Sequence, residues 1–460
     1  MSFVSFAFLV FFAVVLLLQW AIPSRRARQL VLLAASYVFY GWWDWRFMGL
    51  MLFVTLSAWL TGLGLARRPG KKGLLRAGIA APLAVLFCFK YANFFIDAFC
   101  LAFRIERTGA LAIILPVGIS FYTFQSLSYV IDVWRGRISV CRDLGKFALY
   151  IAFFPQLVAG PIVKAADFLP QLEEDRRPDG ARVFHGLTQF LLGVVKKSVL
   201  ADHLAVFADA VFGAVGAYSS ATVGLAVLAY ALQIYLDFSG YSDMALGAAR
   251  CLGYDLPLNF DLPYLSRSVS EFWKRWHMSL SGWLQQYLYI PLGGNRRGRA
   301  RTLINLLITM TLGGLWHGAN FTFIVWGALH GLALCAHKLF SRRFPARDGL
   351  WRRVGATLLT DGFVCLLWVF FRAESLPHAL LILRRLFAFA PGLSQLSPWL
   401  LAALAFLLTR ALLLRRDGAK REAELLPRGT FFGTFAFTLL AGLALILMYT
   451  GASPFIYFQF

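Results

Sequence analysis

Long apolar runs separated by short polar segments recur along the whole chain. Runs of roughly 20 apolar residues are long enough to cross a bilayer, so each run predicts a membrane helix. The runs lie near 3–22, 29–45, 47–66, 78–103, 112–133, 146–160, 184–212, 220–250, 302–316, 320–340, 355–371, 397–414 and 430–450. The pattern predicts roughly 10–12 full crossings, and it predicts that the remaining runs form re-entrant, broken or interfacial helices.

Composition and charge support a membrane protein. The chain is 59% hydrophobic and only 15% charged, with a mean hydropathy of +0.66, whereas soluble domains are about half apolar. A formal charge of +22 would indicate nucleic acid in a soluble protein, but here the cations lie in short loops between apolar runs. We therefore predict an all-α, polytopic membrane protein that contacts membrane lipid and no nucleic acid, with a single domain over residues 1–460.

His317 lies near the tip of a predicted hairpin of two membrane helices. As helix, residues 302–337 cover roughly 54 Å, whereas two crossings of the hydrocarbon core need about 60 Å. The tip is therefore predicted to lie within the membrane, on backbone broken by residues that weaken helices: Gly313, Gly314, Gly318 and Asn320. Histidine transfers protons near neutral pH, and ionisable groups in membranes are usually functional. We expect His317 to be catalytic rather than a buried structural histidine.

Two further polar segments are candidates for chemistry. His277 lies among cationic, aromatic and serine neighbours in residues 272–281, a setting that is also typical of an interfacial anchor. Asp237 lies in a polar stretch, residues 235–244, which interrupts the apolar run 220–250. This stretch predicts either a carboxylate that orients a histidine or lines a proton path, or a structural break in the helix.

Patterns of other reactive sites are missing from the sequence. There is no GxSxG, P-loop or GxGxxG motif in a strand–helix setting, and there is no HExxH or His-x-His spacing for a metal. His330 follows His317 too far along a predicted helix for the two to share a ligand. The six cysteines form no CxxC pair, so the sequence predicts no disulfide and no metal site.

Eight stretches of the chain carry a resemblance to a known family: Tyr40–Trp43, Leu115–Gln125, Phe154–Pro161, Tyr235–Met244, Phe272–Ser281, Pro291–Asn295, Trp316–Gly318 and Phe370–Ala373. They resemble the membrane-bound O-acyltransferase family, and in particular its bacterial polysaccharide-acetylating branch. The stretches extend over nearly the whole chain. The resemblance implies a ring of transmembrane helices around a thinned centre, where a histidine is reached by a cytoplasmic acyl donor and an extracytoplasmic acceptor.

The resemblance also implies roles for individual residues. His317 corresponds to the near-invariant histidine of the family, and His277 corresponds to its second conserved polar residue. His317 would act as general base on the acceptor hydroxyl, while His277 would position the donor or substrate. Backbone N–H groups of residues 313–318 are predicted to stabilise the oxyanion. Six side chains are predicted to contact substrate: Trp316, Asn320, Trp276, Ser279, Asp237 and Tyr241.

For ligands and partners, the resemblance implies acetyl-coenzyme A as acyl donor and no bound cofactor. The acceptor would be an alginate-like polysaccharide outside the bacterial inner membrane, reached through a periplasmic acetyltransferase partner and the polysaccharide machinery. D-alanyl transfer and peptidoglycan acyl transfer are alternatives. A proton-coupled transporter would use His317 and Asp237 as a relay, and an export scaffold would need neither residue. The sequence has no internal repeat, which weighs against the transporter.

Overall fold

The computed structural model describes residues 1–106, 109–157, 160–177, 179–343, 349–414, 426, 428–451 and 455–456. Within these ranges the chain is helical and forms no β-strand, apart from one isolated bridge between Tyr218 and Leu393. The predicted all-α fold is confirmed. Contacts divide the chain into a first unit, Met1–Phe190 with Asp243–Pro257, and a second unit, Leu191–Ser242 with Leu258–Phe460. The single domain and the ring of helices stay predictions.

The first unit is built from apolar helices whose phenylalanine rings pack together. Phe8 lies 5.9 Å from Phe190 and Phe39 lies 5.5 Å from Phe154, measured between ring centroids. Such ring contacts add to the free energy gained by burying apolar area. The helices that begin in this unit are α1 (Phe6–Ala21), α2 (Arg25–Asp44), α3 (Met48–Arg67), α4 (Lys72–Leu86), α5 (Ala92–Phe103), α6 (Ile119–Trp134), α7 (Leu144–Ala152), α8 (Phe154–Leu157), α9 (Ala165–Phe168) and α10 (Gly180–Val194).

The second unit contains every residue for which the sequence predicts a role at the site. Two π-helical segments, Val195–Ala201 and Gln285–Tyr289, lie within its helical chain. The helices that begin in this unit are α11 (Asp202–Gly213), α12 (Ser220–Cys251), α13 (Val269–Arg275), α14 (Met278–Leu284), α15 (Gly298–His317), α16 (Phe321–Arg343), α17 (Leu350–Arg372), α18 (Leu376–Phe387), α19 (Pro398–Leu413) and α20 (Phe431–Leu447).

Several helices are suited to crossing a membrane. In the described part of the chain, five helical segments are long and apolar enough: Arg25–Arg67, Lys72–Phe103, Ser220–Cys251, Phe321–Ser341 and Leu350–Arg372. The apolar helices α1, α19 and α20 are shorter. The chain is therefore a multi-pass membrane protein, as predicted, while the count of 10–12 crossings stays a prediction.

The predicted helix over 112–133 begins later in the structure. Residues 109–118 are not helical, and α6 begins at Ile119. Gly118 directly before it has a φ of 74°, a left-handed conformation that favours glycine and does not continue into a helix. The apolar run therefore predicted the helix correctly and its first residues wrongly.

The predicted helix over 146–160 is also interrupted. Helix α7 ends at Ala152, and Phe153 adopts a ψ of 109° before the four-residue α8. Pro155 lies in α8 and supplies no backbone N–H for a longer helix. Residues 158–159 of the matched stretch Phe154–Pro161 lie outside the described residues.

Helix α12 is continuous where the polar stretch 235–244 predicted a possible break. It extends without interruption over 32 residues, and Asp237 is buried within it. Gly240 permits a close approach to the preceding segment, because a Cβ atom there would lie 2.8 Å from the carbonyl oxygen of Gly193. The polar side chains therefore mark a close, polar contact between helices rather than a break.

The predicted break around His317 is present but begins later than expected, at Gly318 rather than at Gly313. Helix α15 extends through Gly313 and Gly314 to His317, and only residues 318–320 separate it from α16. A Cβ atom on Gly314 would lie 2.2 Å from the carbonyl oxygen of Phe323, so the glycine permits the two helix backbones to touch. Because N–H groups within a helix donate to carbonyls of the same helix, residues 313–317 do not offer the predicted oxyanion donors.

Candidate active site

His277 lies at the sharp junction between the short helices α13 and α14. Ser268 begins α13 by accepting a hydrogen bond from the backbone N–H of Glu271 at 3.1 Å, and the helix ends at Arg275. His277 follows with a φ of 43°, which is unusual for a residue with a side chain. Its side chain is fully buried. Strained backbone of this kind is often associated with function, so the junction supports a functional His277.

The imidazole of His277 is held by the side chain of Asn259. Nδ1 of His277 lies 3.0 Å from Oδ1 of Asn259. The same oxygen accepts hydrogen bonds from the backbone N–H of Ser279 at 3.3 Å and from its hydroxyl at 2.9 Å. Nδ2 of Asn259 donates to the hydroxyl of Ser242 at 3.3 Å. Asn259 is itself buried, so both ends of its amide are used within the protein.

His317 is the last residue of α15, and aromatic rings surround it. Its ring lies 5.1 Å from Trp316, 5.2 Å from Trp326 and 5.2 Å from Phe371. The ring of His277 lies 6.3 Å away, and Trp316 touches both histidines. His317 is 3% exposed. We call His277, His317, Asn259 and Ser279 the histidine cluster.

The histidine cluster has the composition of a proton-transfer site. Two imidazoles lie within one ring-lined region, and each imidazole can accept or donate a proton at one of its nitrogens. The structure therefore brings together both histidines that the sequence selected, although they are 40 positions apart in the chain. It brings Trp316 and Ser279 to the same cluster.

His330 lies close by but has a different environment. The indole N–H of Trp273 donates to Nδ1 of His330 at 3.3 Å, and Trp326 lies 4.9 Å from its ring. Because an indole nitrogen only donates, Nδ1 of His330 is the acceptor. Among the described residues, no group of three histidine, cysteine or acidic side chains is arranged to bind a metal.

Asp237 and Tyr241 belong to a second buried group. Nζ of Lys197 lies 2.7 Å from Oδ1 of Asp237 and 2.6 Å from Oδ1 of Asp202. We call these three residues the lysine cluster. The ring of Tyr241 lies 5.8 Å from the same Nζ, and Oδ2 of Asp237 accepts from the backbone N–H of Ile456 at 2.8 Å.

A π-helical turn explains how the lysine cluster forms. Lys197 and Asp202 are five residues apart, and the backbone N–H of Asp202 donates to the carbonyl of Lys197. In a π-turn residues five apart lie above one another, whereas in an α-helix they face different sides. The local backbone therefore places both side chains towards Asp237 on α12.

Two other predicted substrate contacts have structural partners. Trp276 is fully buried among rings, including those of Phe272 at 5.4 Å and Trp368 at 4.9 Å. Asn320 precedes α16, where its Oδ1 accepts from the backbone N–H of Thr322 at 3.0 Å. These contacts stabilise the second unit, and a contact of either side chain with substrate stays a prediction.

The sequence did not identify the residues that support the two histidines. Asn259 is a single polar residue between Leu258 and Phe260, and a buried asparagine in an apolar setting needs hydrogen-bond partners. That isolated polarity is a signal from which Asn259 could have been identified. Phe371 lies within a matched stretch, but Trp326 was indistinguishable from other aromatic residues of an apolar helix.

Residues 142–374 match the model of MBOAT, the membrane-bound O-acyltransferase family. This range includes the whole histidine cluster and the whole lysine cluster. The chain is also similar to a probable alginate O-acetylase AlgI from Pseudomonas putida, with 41% identity over 100% of both chains.

Two further relatives extend this similarity. A probable alginate O-acetylase AlgI from Azotobacter vinelandii is 44% identical over 85% of this chain and 78% of its own length. A peptidoglycan O-acetyltransferase from Helicobacter pylori is 36% identical over 77% of this chain and 73% of its own length. The names of these three relatives differ in the polymer and agree on O-acetylation.

Proposed function

Because the chain belongs to the membrane-bound O-acyltransferase family, we propose that this O-acyltransferase moves an acetyl group from acetyl-coenzyme A towards an alginate-like polysaccharide. The donor binds from the cytoplasm, and the acceptor lies outside the bacterial inner membrane. A periplasmic acetyltransferase partner receives the acetyl group and passes it to the polymer. The names of the relatives from Pseudomonas putida and Azotobacter vinelandii support the polymer class.

The observation that carries the proposal is the pair of buried histidines within the matched family region. His317 takes the proton from the acceptor hydroxyl as its oxygen attacks the thioester carbonyl. A C–O bond forms, the C–S bond breaks, and the proton passes to the leaving thiolate, so no net proton is released. His277, one ring contact away, positions the thioester.

The tetrahedral intermediate needs a hydrogen-bond donor, and we assign that role to Trp326. Its ring lies 5.2 Å from His317 and is 1% exposed. Its Nε1 has no hydrogen-bond partner among the described residues. A buried N–H without a partner is uncommon and is a suitable donor for charge that develops only during reaction. This assignment replaces the backbone donors of residues 313–317.

The basic end of α15 supports a donor that carries phosphate groups. A cavity of about 170 Å³ lies there, lined by Asn295, Arg299, Thr302 and Lys338 among others. Arginine and lysine bind phosphate through charge-assisted hydrogen bonds. Helix α15 separates this cavity from His317 by roughly 28 Å, at 1.5 Å per residue. An extended pantetheine arm is too short to join a phosphate here to a thioester at His317, so we infer that these cations attract the donor as it approaches rather than hold it during the reaction.

The direct test measures consumption of labelled acetyl-coenzyme A by purified protein in detergent, with alginate oligosaccharide and periplasmic extract present. His317→Ala should lower turnover by about 10²–10⁴-fold, the usual contribution of a general base. His378→Ala is the matched control, because His378 binds the carbonyl of Phe212 and lies outside the histidine cluster. A folded His317→Ala protein with full turnover contradicts the mechanism.

The relative from Helicobacter pylori favours one alternative acceptor. Replacing alginate oligosaccharide with peptidoglycan fragments in the same assay distinguishes the two polymers. Label that appears on the glycan fragments and not on alginate would move the proposal to peptidoglycan acetylation. The roles of the two histidines would be unchanged, because the partner passes the acetyl group to the polymer in a later step.

A further inference from the structure

The side-chain amide of Asn259 is oriented by the backbone N–H of Ser279, which can donate a hydrogen bond but cannot accept one. Its Oδ1 lies 3.3 Å from the backbone nitrogen of Ser279, which carries a hydrogen and cannot accept. The atom that faces this nitrogen is therefore the carbonyl oxygen of the amide and not its NH₂ group. The hydrogen bond from Nδ2 to the hydroxyl of Ser242 agrees with this orientation.

The orientation of Asn259 determines which nitrogen of His277 carries the proton. A carbonyl oxygen accepts hydrogen bonds, so Nδ1 of His277, 3.0 Å away, must be the donor. In the neutral imidazole, a proton on Nδ1 leaves the lone pair on Nε2. His277 therefore offers a proton-accepting atom on the side of the ring away from Asn259.

Asn259 is itself fixed to the beginning of α14. Its backbone carbonyl accepts from the N–H of Met278 at 2.9 Å, and its side-chain oxygen accepts from both donors of Ser279. One residue thus contacts the side chain of His277 and holds the two residues that directly follow it. Movement of the asparagine would change both the position and the protonation of the imidazole.

We propose that Asn259 and Ser279 are positioning residues that keep His277 as the Nδ1–H tautomer, so that Nε2 holds the bound substrate by accepting a hydrogen bond from it. This inference rests on the proposed function of the histidine cluster. A neutral amide selects the tautomer without placing a negative charge against the ring. A carboxylate in the same place would instead favour the charged imidazolium.

One titratable group lies among the rings that pack against His277 in the described part of the chain. The rings packed against it are those of Phe238 on α12, Phe260 beside Asn259, and Trp316 and His317 on α15. Of these four, only His317 titrates. A new charge at residue 259 would act directly on His277, because Nδ1 lies 3.0 Å from the side-chain oxygen of that residue.

The first test reads the tautomer directly and does not depend on turnover. Protein labelled with ¹⁵N-histidine is compared with His277→Asn by NMR, which assigns the His277 signals by their loss. We expect a protonated Nδ1 and an unprotonated Nε2 in the wild type, and a mixture of tautomers in Asn259→Ala. A wild-type His277 protonated on Nε2 overturns the inference.

The second test uses kinetics with labelled acetyl-coenzyme A. Asn259→Ala should lower kcat about 10–100-fold, the usual effect of removing a group that orients a reactive side chain, with little change in KM. Asn259→Asp should raise the pH of the acidic limb of the kcat profile by about 1–3 units, because a carboxylate beside Nδ1 favours the imidazolium. If Asn259 had only a structural role, Asn259→Asp would leave the acidic limb of the kcat profile at its wild-type pH.

Ser279 provides the graded control. Ser279→Ala loses the 2.9 Å hydroxyl contact but keeps the backbone donor, so its effect should be smaller than that of Asn259→Ala. Ser279→Thr retains a hydroxyl and should restore kcat. If wild-type protein consumes no acetyl-coenzyme A, the proposed function fails while the NMR result still decides the tautomer. If wild type is active and neither Asn259 variant changes kcat or the pH profile, the inference fails.

Discussion

The histidine cluster and the lysine cluster are both buried in the second unit, but their polar groups are stabilised in different ways. In the lysine cluster a cation lies within 2.7 Å of two carboxylates, so the charges compensate one another. In the histidine cluster a neutral amide holds a neutral ring, and the neighbours are aromatic. The comparison teaches that the buried charges of the lysine cluster form ion pairs with one another, whereas the imidazole of His277 is oriented by an uncharged group.

The largest effect should come from breaking the lysine cluster. Lys197→Met leaves Asp202 and Asp237 buried without their cation, which costs about 3–5 kcal/mol of folding free energy in comparable buried pairs. We expect a large fall in Tm for purified protein in detergent. Lys146→Met is the matched control, because Lys146 pairs with the exposed Glu173 and such pairs contribute about 0–1 kcal/mol. Equal falls in Tm for both variants would contradict the compensation argument.

The next test separates two indoles that both lie beside His330. Trp326→Phe keeps a ring but removes the N–H that we assign to the oxyanion, so kcat should fall by about 10²–10³-fold with little loss of Tm. Trp273→Phe removes a donor that is already bound to His330, so Tm should fall by an amount corresponding to about 1 kcal/mol while kcat changes little. The paired variants are compared by acetyl-coenzyme A turnover and by thermal unfolding. The reverse pattern would exclude Trp326 as the donor.

The smallest effect should come from a partly exposed ion-pair network, which we compare with the buried lysine cluster. Asp255 lies in a loop after α12, and it accepts from Arg176 at 2.9 Å and Arg182 at 2.7 Å. Burial alone would raise the pKa of Asp255, but hydrogen bonds and charge from the two arginines lower it below the ordinary value. The carboxylate therefore stabilises the folded protein fully at pH values above about 3.9, the pKa of Asp255 in the unfolded chain. That stabilisation is lost as the pH falls through the lower pKa of Asp255 in the folded protein.

We expect Asp255→Asn to lower Tm slightly at neutral pH, by the equivalent of about 0–1 kcal/mol because the carboxylate is half exposed. The difference from wild type should shrink below a pH of about 4, where the unfolded carboxyl becomes protonated. Measuring Tm of both proteins between neutral and acidic pH gives the comparison. A difference that grows as the pH falls would contradict the sign of the pKa shift.

Apolar periodicity predicted the helices better than their interruptions. The runs identified α12, α15 and α16, because a helix that crosses a membrane needs a long apolar surface. They missed α18, whose apolar residues lie on one side and whose last turn carries Arg384 and Arg385. An amphipathic helix does not form a continuous apolar run, so the criterion was unsuited to it.

Two glycines inside one run were misread as a break, and a polar stretch in another run left two interpretations open. Gly313 and Gly314 were predicted to interrupt a helix, and Asp237 was placed in a stretch that predicted a possible interruption. In the structure Gly314 permits helix contact, and Asp237 finds its cation on a segment 40 positions earlier in the chain. Local propensity does not report partners that are distant in sequence, and such partners decide the outcome here.

The two histidines were predictable, but the geometry around them was not. The sequence near His277 and His317 resembled that of a known family, so both positions could be selected without a structure. Nothing in the spacing indicated that Asn259 faces His277. The two residues are separated by a loop, by helix α13 and by the left-handed backbone of His277 itself. Side-chain orientation across loops depends on tertiary contacts rather than on local pattern.

The hydrogen bond between Ile456 and Asp237 joins residues that are 219 positions apart. A ribosome therefore places Asp237 in the membrane long before Ile456 has been synthesised, whereas Lys197 precedes Asp237 in the chain. The carboxylate of Asp237 can therefore pair with Lys197 early, whereas it can accept from the backbone N–H of Ile456 only later. Biogenesis of the second unit thus has an order, in which charge is neutralised during insertion and the contact with Asp237 is completed only after Ile456 has been synthesised.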